Sequence, residues 1–300
     1  MGLNLYILIW VCIIGLCLGS FFNVVILRSL SNESIVFPPS KCPKCNHKLF
    51  WWHNIPVISY IMLKGKCYFC QEKISIQYPI IEIITMILYG LTFVKFGISF
   101  KTIFAVIIVS CFIIMTTTDI REKLVDCNIA IGLGITALIY NYFAGGINGI
   151  ISSILGLIVG TLILEVIARL GYLFTKSRAM GEADSYVAGA IGACFGLQNI
   201  IPILLYSLIA SMIFILPVFF YNKFKAGDKL TCIAAILFTL SVVIYNSLVQ
   251  NYFTFGFLTF TGMLLAYFIT RSIKKEENAH YLPFVPALSI GVLYFIAMYF

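Results

Sequence analysis

The chain is laid out as long apolar runs separated by short polar connections. Read as helix, about 20 residues of such a run cross a hydrocarbon core of roughly 30 Å. In lipid each segment must satisfy its own backbone hydrogen bonds, which makes helix the default. The runs predict ten spans, at 5–27, 80–98, 102–118, 128–144, 149–172, 185–198, 200–221, 231–248, 253–270 and 282–300, with the sixth the shortest. The first run has no basic residue ahead of it, is too long for a signal-peptide core and is closed by Arg28, so it is expected to be a retained span. The expected fold class is all-α, a polytopic transmembrane bundle of about 8–10 spans.

Composition sharpens this picture. A chain of 300 residues that is 61% hydrophobic and 11% charged lacks the polar surface of a water-soluble globule. With the amino terminus outside, the connections facing the cytoplasm carry Arg28, Lys41, Lys44, Lys48, Lys64, Lys66, Lys73, Arg121, Lys123, Arg169, Lys176, Arg178, Lys223, Lys225, Lys229, Arg271, Lys274 and Lys275. Lys95 and Lys101 fall on the other side. This is the asymmetry of the positive-inside rule, so the net charge of +8 is a topology signal and not a nucleic-acid footprint.

One long polar stretch, 29–79, separates the first two spans and holds Cys42-Pro43-Lys44-Cys45 and Cys67-Tyr68-Phe69-Cys70. Two CxxC pairs about 20 residues apart suit four thiolates around one tetrahedral zinc. Two disulfides and two redox motifs are the alternatives. A cytoplasmic face disfavours the first, and a lone redox pair needs no twin. With four protein ligands the metal is structural, and it would supply much of the folding free energy of so short a loop. His47 and His53 are expected at the surface. The other cysteines, Cys12, Cys17, Cys111, Cys127, Cys194 and Cys232, have no pattern and read as small apolar residues.

Acids are few, and two sit where apolar runs meet the cytoplasmic boundary. Asp119 follows Thr116-Thr117-Thr118, and Asp184 closes Met180-Gly181-Glu182-Ala183-Asp184. Two carboxylates on one face can share a proton, giving an acid and a base at once. Each is equally readable as a helix cap or a solvated headgroup residue. Glu182 is an alternative second acid, Glu122 and Asp126 read as a solvated loop, and Glu165 is an acid inside a span with a Ser, Thr or Tyr of another helix as a candidate partner.

With these residues in place the chain resembles the type IV prepilin peptidases over nearly its whole length. Gly19-Ser20-Phe21-Phe22-Asn23-Val24 through Arg28 is similar to the family's GSFxNVxxxR stretch. Cys42-Pro43-Lys44-Cys45, Asn54-Ile55-Pro56, Ser59-Tyr60, Gly65-Lys66-Cys67, Cys70 and Tyr78-Pro79-Ile80-Ile81-Glu82 follow its cytoplasmic loop. Asp119 matches the first Asp of its DxxxxxIPD segment, Asp184 the Asp of its GxGD segment, and Leu282-Pro283-Phe284-Val285-Pro286 its PFGP sequence. The resemblance implies an inner-membrane aspartic endopeptidase with Asp119 and Asp184 as catalytic pair. Its substrates would be prepilins or pseudopilins of type IV pili or type II secretion, with membrane lipid around it and no nucleic-acid partner. It also implies methylation of the new amino terminus from S-adenosylmethionine, although the chain has no glycine-rich Rossmann fingerprint. The domains expected are a first span at 1–28, a four-cysteine zinc loop at 29–79 and a multi-span peptidase domain at 80–300, with an inserted hairpin at 231–270.

The chain departs from the family pattern in three places. Ala183 replaces a glycine and excludes a positive φ there. Tyr186 stands where the family has Lys, and Val125-Asp126-Cys127 replaces IPD. Two rival functions are a transporter or proton relay through Asp119, Asp184 and Glu165, and a non-catalytic assembly factor docking through the zinc loop. Absence of an internal repeat and the placement of the acids at one face argue against the first.

Overall fold

The computed structural model describes residues 2–31, 34, 36–37, 39–175, 181–225, 227–247, 252–275 and 283–300. Lys176, Arg178, Met180, Leu282 and the turn of the 231–270 hairpin lie outside them. The described helices are α1 (Gly2–Ser31), α2 (Ile58–Met62), α3 (Gln77–Phe96), α4 (Phe100–Glu122), α5 (Cys127–Thr175), α6 (Glu182–Phe195), α7 (Leu197–Lys225), α8 (Lys229–Ser247), α9 (Tyr252–Lys275) and α10 (Val285–Met298), with a 3₁₀ turn at Trp51–Asn54. Among the described residues, five stretches are long and apolar enough to cross a membrane: Asn4–Ser29, Gln77–Phe96, Phe100–Glu122, Cys127–Leu170 and Leu197–Phe214.

The runs 128–144 and 149–172 belong to α5, which bends at Gly146. There φ is 61° and ψ is −144°, a conformation open to glycine and costly for any residue with a Cβ. Across the bend Asn141 Nδ2 donates to Ser153 Oγ at 3.4 Å, and Gly134 lies against Leu157, so the two halves run antiparallel. The second half packs on α6 backbone to backbone. A Cβ added to Gly192 would stand 1.9 Å from the Gly156 carbonyl oxygen, and one on Gly160 would stand 2.4 Å from that of Ala188. Small residues permit such contact, which in lipid replaces the hydrophobic drive that water would provide.

Two of the expected spans are shorter than a bilayer. Helices α6 and α10 have 14 residues each, about 21 Å at 1.5 Å per residue. Their carboxyl ends meet at one level, where Phe195 contacts Phe295 and Phe300 with ring centroids 5.3 Å apart in both pairs. Phe300 also meets Phe104 near the start of α4. Lys95 Nζ donates to the Ala297 carbonyl at 2.7 Å and to that of Ile296, closing the carboxyl end of α10. Helix α4 therefore starts where α6 and α10 end. Its carboxyl terminus and their amino termini share the opposite end of the bundle.

One core cluster joins these helices, with Met115 of α4, Leu133 of α5, Val187 and Ile191 of α6, Ile203 of α7 and Val285 and Leu288 of α10. A second joins α1, α3 and α4 through Phe22, Ile26, Ile81, Tyr89 and Val109. Helices α8 and α9 pair through a buried Ser241–Thr261 hydroxyl contact at 2.8 Å.

Candidate active site and metal centre

Asp119 lies in the last turn of α4 and is 1% exposed. Its Oδ2 accepts the Val285 N–H at 3.0 Å, and the Phe284 N–H is a second donor to the carboxyl. The reason lies in the local sequence of α10. Its cap position is Phe284, which has no oxygen to offer, and Pro286 has no N–H. The helix cannot cap itself, so a carboxylate from α4 satisfies its open end and meets the positive end of its dipole. Of the threonines before Asp119, Thr117 and Thr118 bond to their own helix, Thr117 Oγ1 donating to the Ile113 carbonyl at 2.7 Å and Thr118 Oγ1 to that of Met115 at 3.0 Å, whereas the Thr116 hydroxyl meets that of Ser289 on α10.

Asp184 is the third residue of α6 and is 2% exposed. Its Oδ2 accepts the Gly181 N–H at 3.1 Å, the reach-back that an acid makes from this position of a first helical turn. Glu182, two residues earlier, is exposed, so Asp184 is the buried acid of the pair. Ala183 lies within the same helical turn, where no positive φ is required, and the replacement of glycine leaves the backbone unstrained.

Met115 is one turn before Asp119, Val187 follows Asp184 by about one turn, and Val285 donates to Asp119. All three belong to the same core cluster, so both carboxylates sit at one end of it. Beside Asp184 opens a cavity of about 800 Å³ lined by Glu165, Arg169, Tyr172, Glu182, Ser185 and Tyr186. Glu165 has the partner expected for it, Ser185 Oγ at 3.5 Å, and also pairs with Arg169 at 2.8 Å. A cation thus faces the cavity although residue 186 is a tyrosine. Asp126 is half-buried and accepts the Asn128 N–H at 2.9 Å, which makes it the cap of α5.

The four cysteines of the polar loop come together with all Sγ atoms within 4.8 Å of one another, Cys42 and Cys70 at 3.9 Å, and none is in a disulfide. Thiolates about 2.3 Å from a common tetrahedral centre stand about 3.8 Å apart, so the donor set fits a metal ion. Each pair sits on the same local turn. The Cys42 N–H donates to the His47 carbonyl at 3.0 Å and the Asn46 N–H to that of Cys42 at 2.9 Å. The Cys67 N–H likewise donates to the Glu72 carbonyl at 2.8 Å and the Gln71 N–H to that of Cys67 at 3.0 Å. Asn46 and Gln71, each directly after the second cysteine, carry the positive φ that closes the turn.

The charges fit as well. The backbone N–H of Cys70 holds the Cys67 thiol down at about 7. At Cys70 the Glu72 N–H favours the thiolate, but desolvation and the Cys67, Cys45 and Cys42 sulfurs push it up to about 12. A cation at the centre would remove that repulsion.

Two buried groups correct or extend the sequence reading. His53, expected at the surface, is 8% exposed, packed between Trp52 and the Tyr68 and Phe69 rings, with Nδ1 accepting the Phe50 N–H at 3.2 Å. It belongs to the aromatic packing of the loop and not to the cluster of metal donors. Glu82, which the sequence offers only as part of a motif, is 5% exposed. It accepts the Val57 N–H at 2.7 Å and a hydrogen bond from Ser20, tying the loop to α1 and α3. The signal that could have found it is an acid five residues into an apolar span.

Comparisons with known proteins give the family. The bacterial peptidase A24 N-terminal domain matches residues 13–96, and the type IV leader peptidase family matches residues 106–216. A prepilin leader peptidase/N-methyltransferase of Neisseria gonorrhoeae is 32% identical over 264 residues, covering 78% of this chain and 91% of that one. One of Xanthomonas campestris pv. campestris is 33% identical over 65% of this chain and 75% of that one. One of Myxococcus xanthus is 30% identical, and the match spans 66% of this chain and 59% of that longer protein. No solved structure matches.

Proposed function

This chain belongs to the type IV leader peptidase family, and from that membership and the geometry above we propose that Asp119 and Asp184 cleave prepilin leaders at the cytoplasmic end of the bundle. It is a multi-pass protein of the inner membrane and a prepilin leader peptidase. What supports the assignment of the pair is that α4 brings Asp119 and α6 brings Asp184 to one end of the bundle, where α10 donates its Val285 N–H to Asp119. The cytoplasmic assignment of this end rests on charge. Arg121 and Lys123 follow Asp119, whereas Lys95 and Lys101 lie at the other end.

The chemistry needs one carboxylate and one carboxylic acid. Two acids in a water-poor recess repel, so one of the pair retains a proton at neutral pH. The ionised partner takes a proton from a water molecule as its oxygen attacks the scissile carbonyl carbon. The protonated partner donates to the carbonyl oxygen as charge develops there. Collapse of the tetrahedral species breaks the C–N bond: the leaving amine takes up the proton that the base had accepted, and the hydroxyl that becomes the new carbonyl returns its proton to the other carboxylate, restoring the acid. A substrate with a hydrophobic helix enters from the lipid, and its peptide bond reaches the acids at the shortened ends of α6 and α10.

Cys42, Cys45, Cys67 and Cys70 would hold a zinc ion with no open position, which supplies loop stability and no Lewis-acid site. The relatives' names join an N-methyltransferase to the peptidase. Methyl transfer to the freed amino terminus, with S-adenosylmethionine as donor, is proposed for this chain on that likeness. The described residues contain no strand-to-helix glycine turn, so no side chain is assigned to the donor.

The test is cleavage of a prepilin reconstituted with the purified protein in vesicles, read by mass spectrometry of the new amino terminus. Asp119→Asn and Asp184→Asn should each abolish the cut. A variant that cleaves at the wild-type rate overturns the pair.

A further inference from the structure

The metal loop exposes a set of large apolar side chains that packing within the chain leaves uncovered. Ile58, Ile61 and Met62 are 55%, 67% and 68% exposed, and their i, i+3, i+4 spacing puts them on one face of α2. Trp51 in the neighbouring 3₁₀ turn is 80% exposed. A five-residue helix has no stability of its own in water, since isolated helices are marginal below roughly 12–15 residues. An uncovered apolar face on such a helix calls for a second surface.

The tether of α2 indicates which surface. The Val57 N–H, at the cap position just before α2, donates to Glu82 at 2.7 Å. Glu82 lies five residues into α3, about 7.5 Å along the axis at 1.5 Å per residue. Ser20, which bonds to the same carboxyl, lies eight residues before Arg28 on α1. The start of α2 is therefore drawn down below the ends of both flanking spans. The lipid-facing stripe of α3, with Ile80, Ile84 and Ile87 exposed, continues upward to Ile76 at 65% exposure, so apolar surface runs without a break towards the loop.

Charge gives the second argument. Residues 39–76 hold six lysines, Lys41, Lys44, Lys48, Lys64, Lys66 and Lys73, against one acid, Glu72. All six lysines are exposed. A basic module with an exposed tryptophan and an apolar helical face matches an anionic membrane surface in both respects.

We propose that Trp51, Ile58, Ile61 and Met62 lie in the headgroup region of the bilayer that the protein itself spans, with the loop lysines on anionic lipid heads. The metal loop is then a membrane-docked module, and α2 an in-plane interfacial helix. This goes beyond the peptidase reading and does not depend on it.

The test uses the full-length protein in vesicles of phosphatidylcholine and phosphatidylglycerol. With Trp10→Phe and Trp52→Phe, Trp51 is the only tryptophan left among Trp10, Trp51 and Trp52. Its fluorescence should be quenched by lipid brominated near the headgroup end of the acyl chain and only weakly by acrylamide. Strong acrylamide quenching without any effect of brominated lipid overturns the proposal. Protection from both quenchers also overturns it, because the face is then covered by protein. A second measurement needs no substitution: hydroxyl-radical labelling of the wild-type protein in the same vesicles. Corrected for intrinsic reactivity, Met62 should be modified several-fold more slowly than Tyr68, although it is the more exposed of the two within the chain. Equal modification counts against docking. Replacing phosphatidylglycerol with phosphatidylcholine should weaken the protection; no change would remove the lysines from the proposal. Neither measurement involves cleavage, so failure here leaves the peptidase assignment untouched.

Discussion

Asp119 Oδ2 accepts the Val285 N–H at 3.0 Å, a bond between the end of α4 and a helix that begins 166 residues later. The contact gives Asp119 a structural duty besides the proposed catalytic one, and the two separate by substitution. Asparagine keeps an oxygen for the Val285 N–H but carries no titratable proton. Asp119→Asn should therefore fold with little loss of stability and lose cleavage by at least about 100-fold. Asp119→Ala should lose cleavage and also destabilise by about 1–2 kcal/mol, the usual worth of a helix cap. Thermal unfolding in detergent beside a cleavage assay distinguishes the two. Equal melting temperatures for the two variants would refute the capping role.

The buried position of Asp184 and the exposed position of Glu182 in one helical turn make a second prediction. Asp184→Asn should eliminate cleavage. Glu182→Gln, at the rim of the adjoining cavity, should leave kcat close to wild type, with any effect in KM. Loss of kcat in Glu182→Gln at an intact Asp184 would transfer the acid role to Glu182.

For the cysteine cluster, the purified protein should hold one zinc per chain, and Cys42→Ser or Cys67→Ser should lower that content together with protein yield. Chelation should open the loop to proteolysis between Cys42 and Cys70 while the spans stay folded, because the spans form their own core clusters. Metal content equal to wild type in both variants would rule out the four-thiolate site.

What could be read from the sequence divides by distance along the chain. The cysteine loop was legible because each pair of ligands closes its own turn, with both halves repeating one hydrogen-bond pattern. The helix runs were legible because apolar length alone specifies them in lipid. The burial of Asp184 over Glu182 was not, since the two differ by where α6 packs and not by any local pattern. The meeting of Asp119 with Val285 is a contact between distant segments, and its only local trace is the uncapped Pro283-Phe284-Val285-Pro286 start of α10. Glu82 and Glu165 obey one rule, an acid within an apolar run, yet only Glu165 stood apart from a recognised motif. His53 is buried because rings of Trp52, Tyr68 and Phe69 close over it, a packing that polarity scales do not foresee.

The α5–α6 interface should be intolerant of any side chain at its glycines. Gly192→Val would bring a Cβ to within 1.9 Å of the Gly156 carbonyl oxygen, a backbone atom that cannot swing aside. Overpacking of this kind costs about 1–3 kcal/mol or more, and the shift of α6 would carry Asp184 with it. Both melting temperature and cleavage should fall. Gly132→Ala is the control: nothing lies within 4 Å of a Cβ there. That change should be neutral or stabilising by up to about 1 kcal/mol through helix propensity alone.

Glu82 holds the loop to the spans. Val57 has φ 59°, a conformation that a β-branched residue adopts only under constraint. The Glu82 carboxylate supplies that constraint by accepting its N–H. Glu82→Gln retains an acceptor and should preserve the loop. Glu82→Ala leaves the Val57 N–H and Ser20 without it, costing about 1–3 kcal/mol locally, and Val57 should relax to negative φ. The expected readout is faster amide exchange over residues 55–63 in Glu82→Ala, with metal content unchanged because the four thiolates do not use this contact. Val57→Gly should slow that exchange in the Glu82→Ala background, since glycine holds a positive φ without strain. If exchange over α2 is the same in Glu82→Ala as in wild type, the loop is anchored by its cysteine cluster alone.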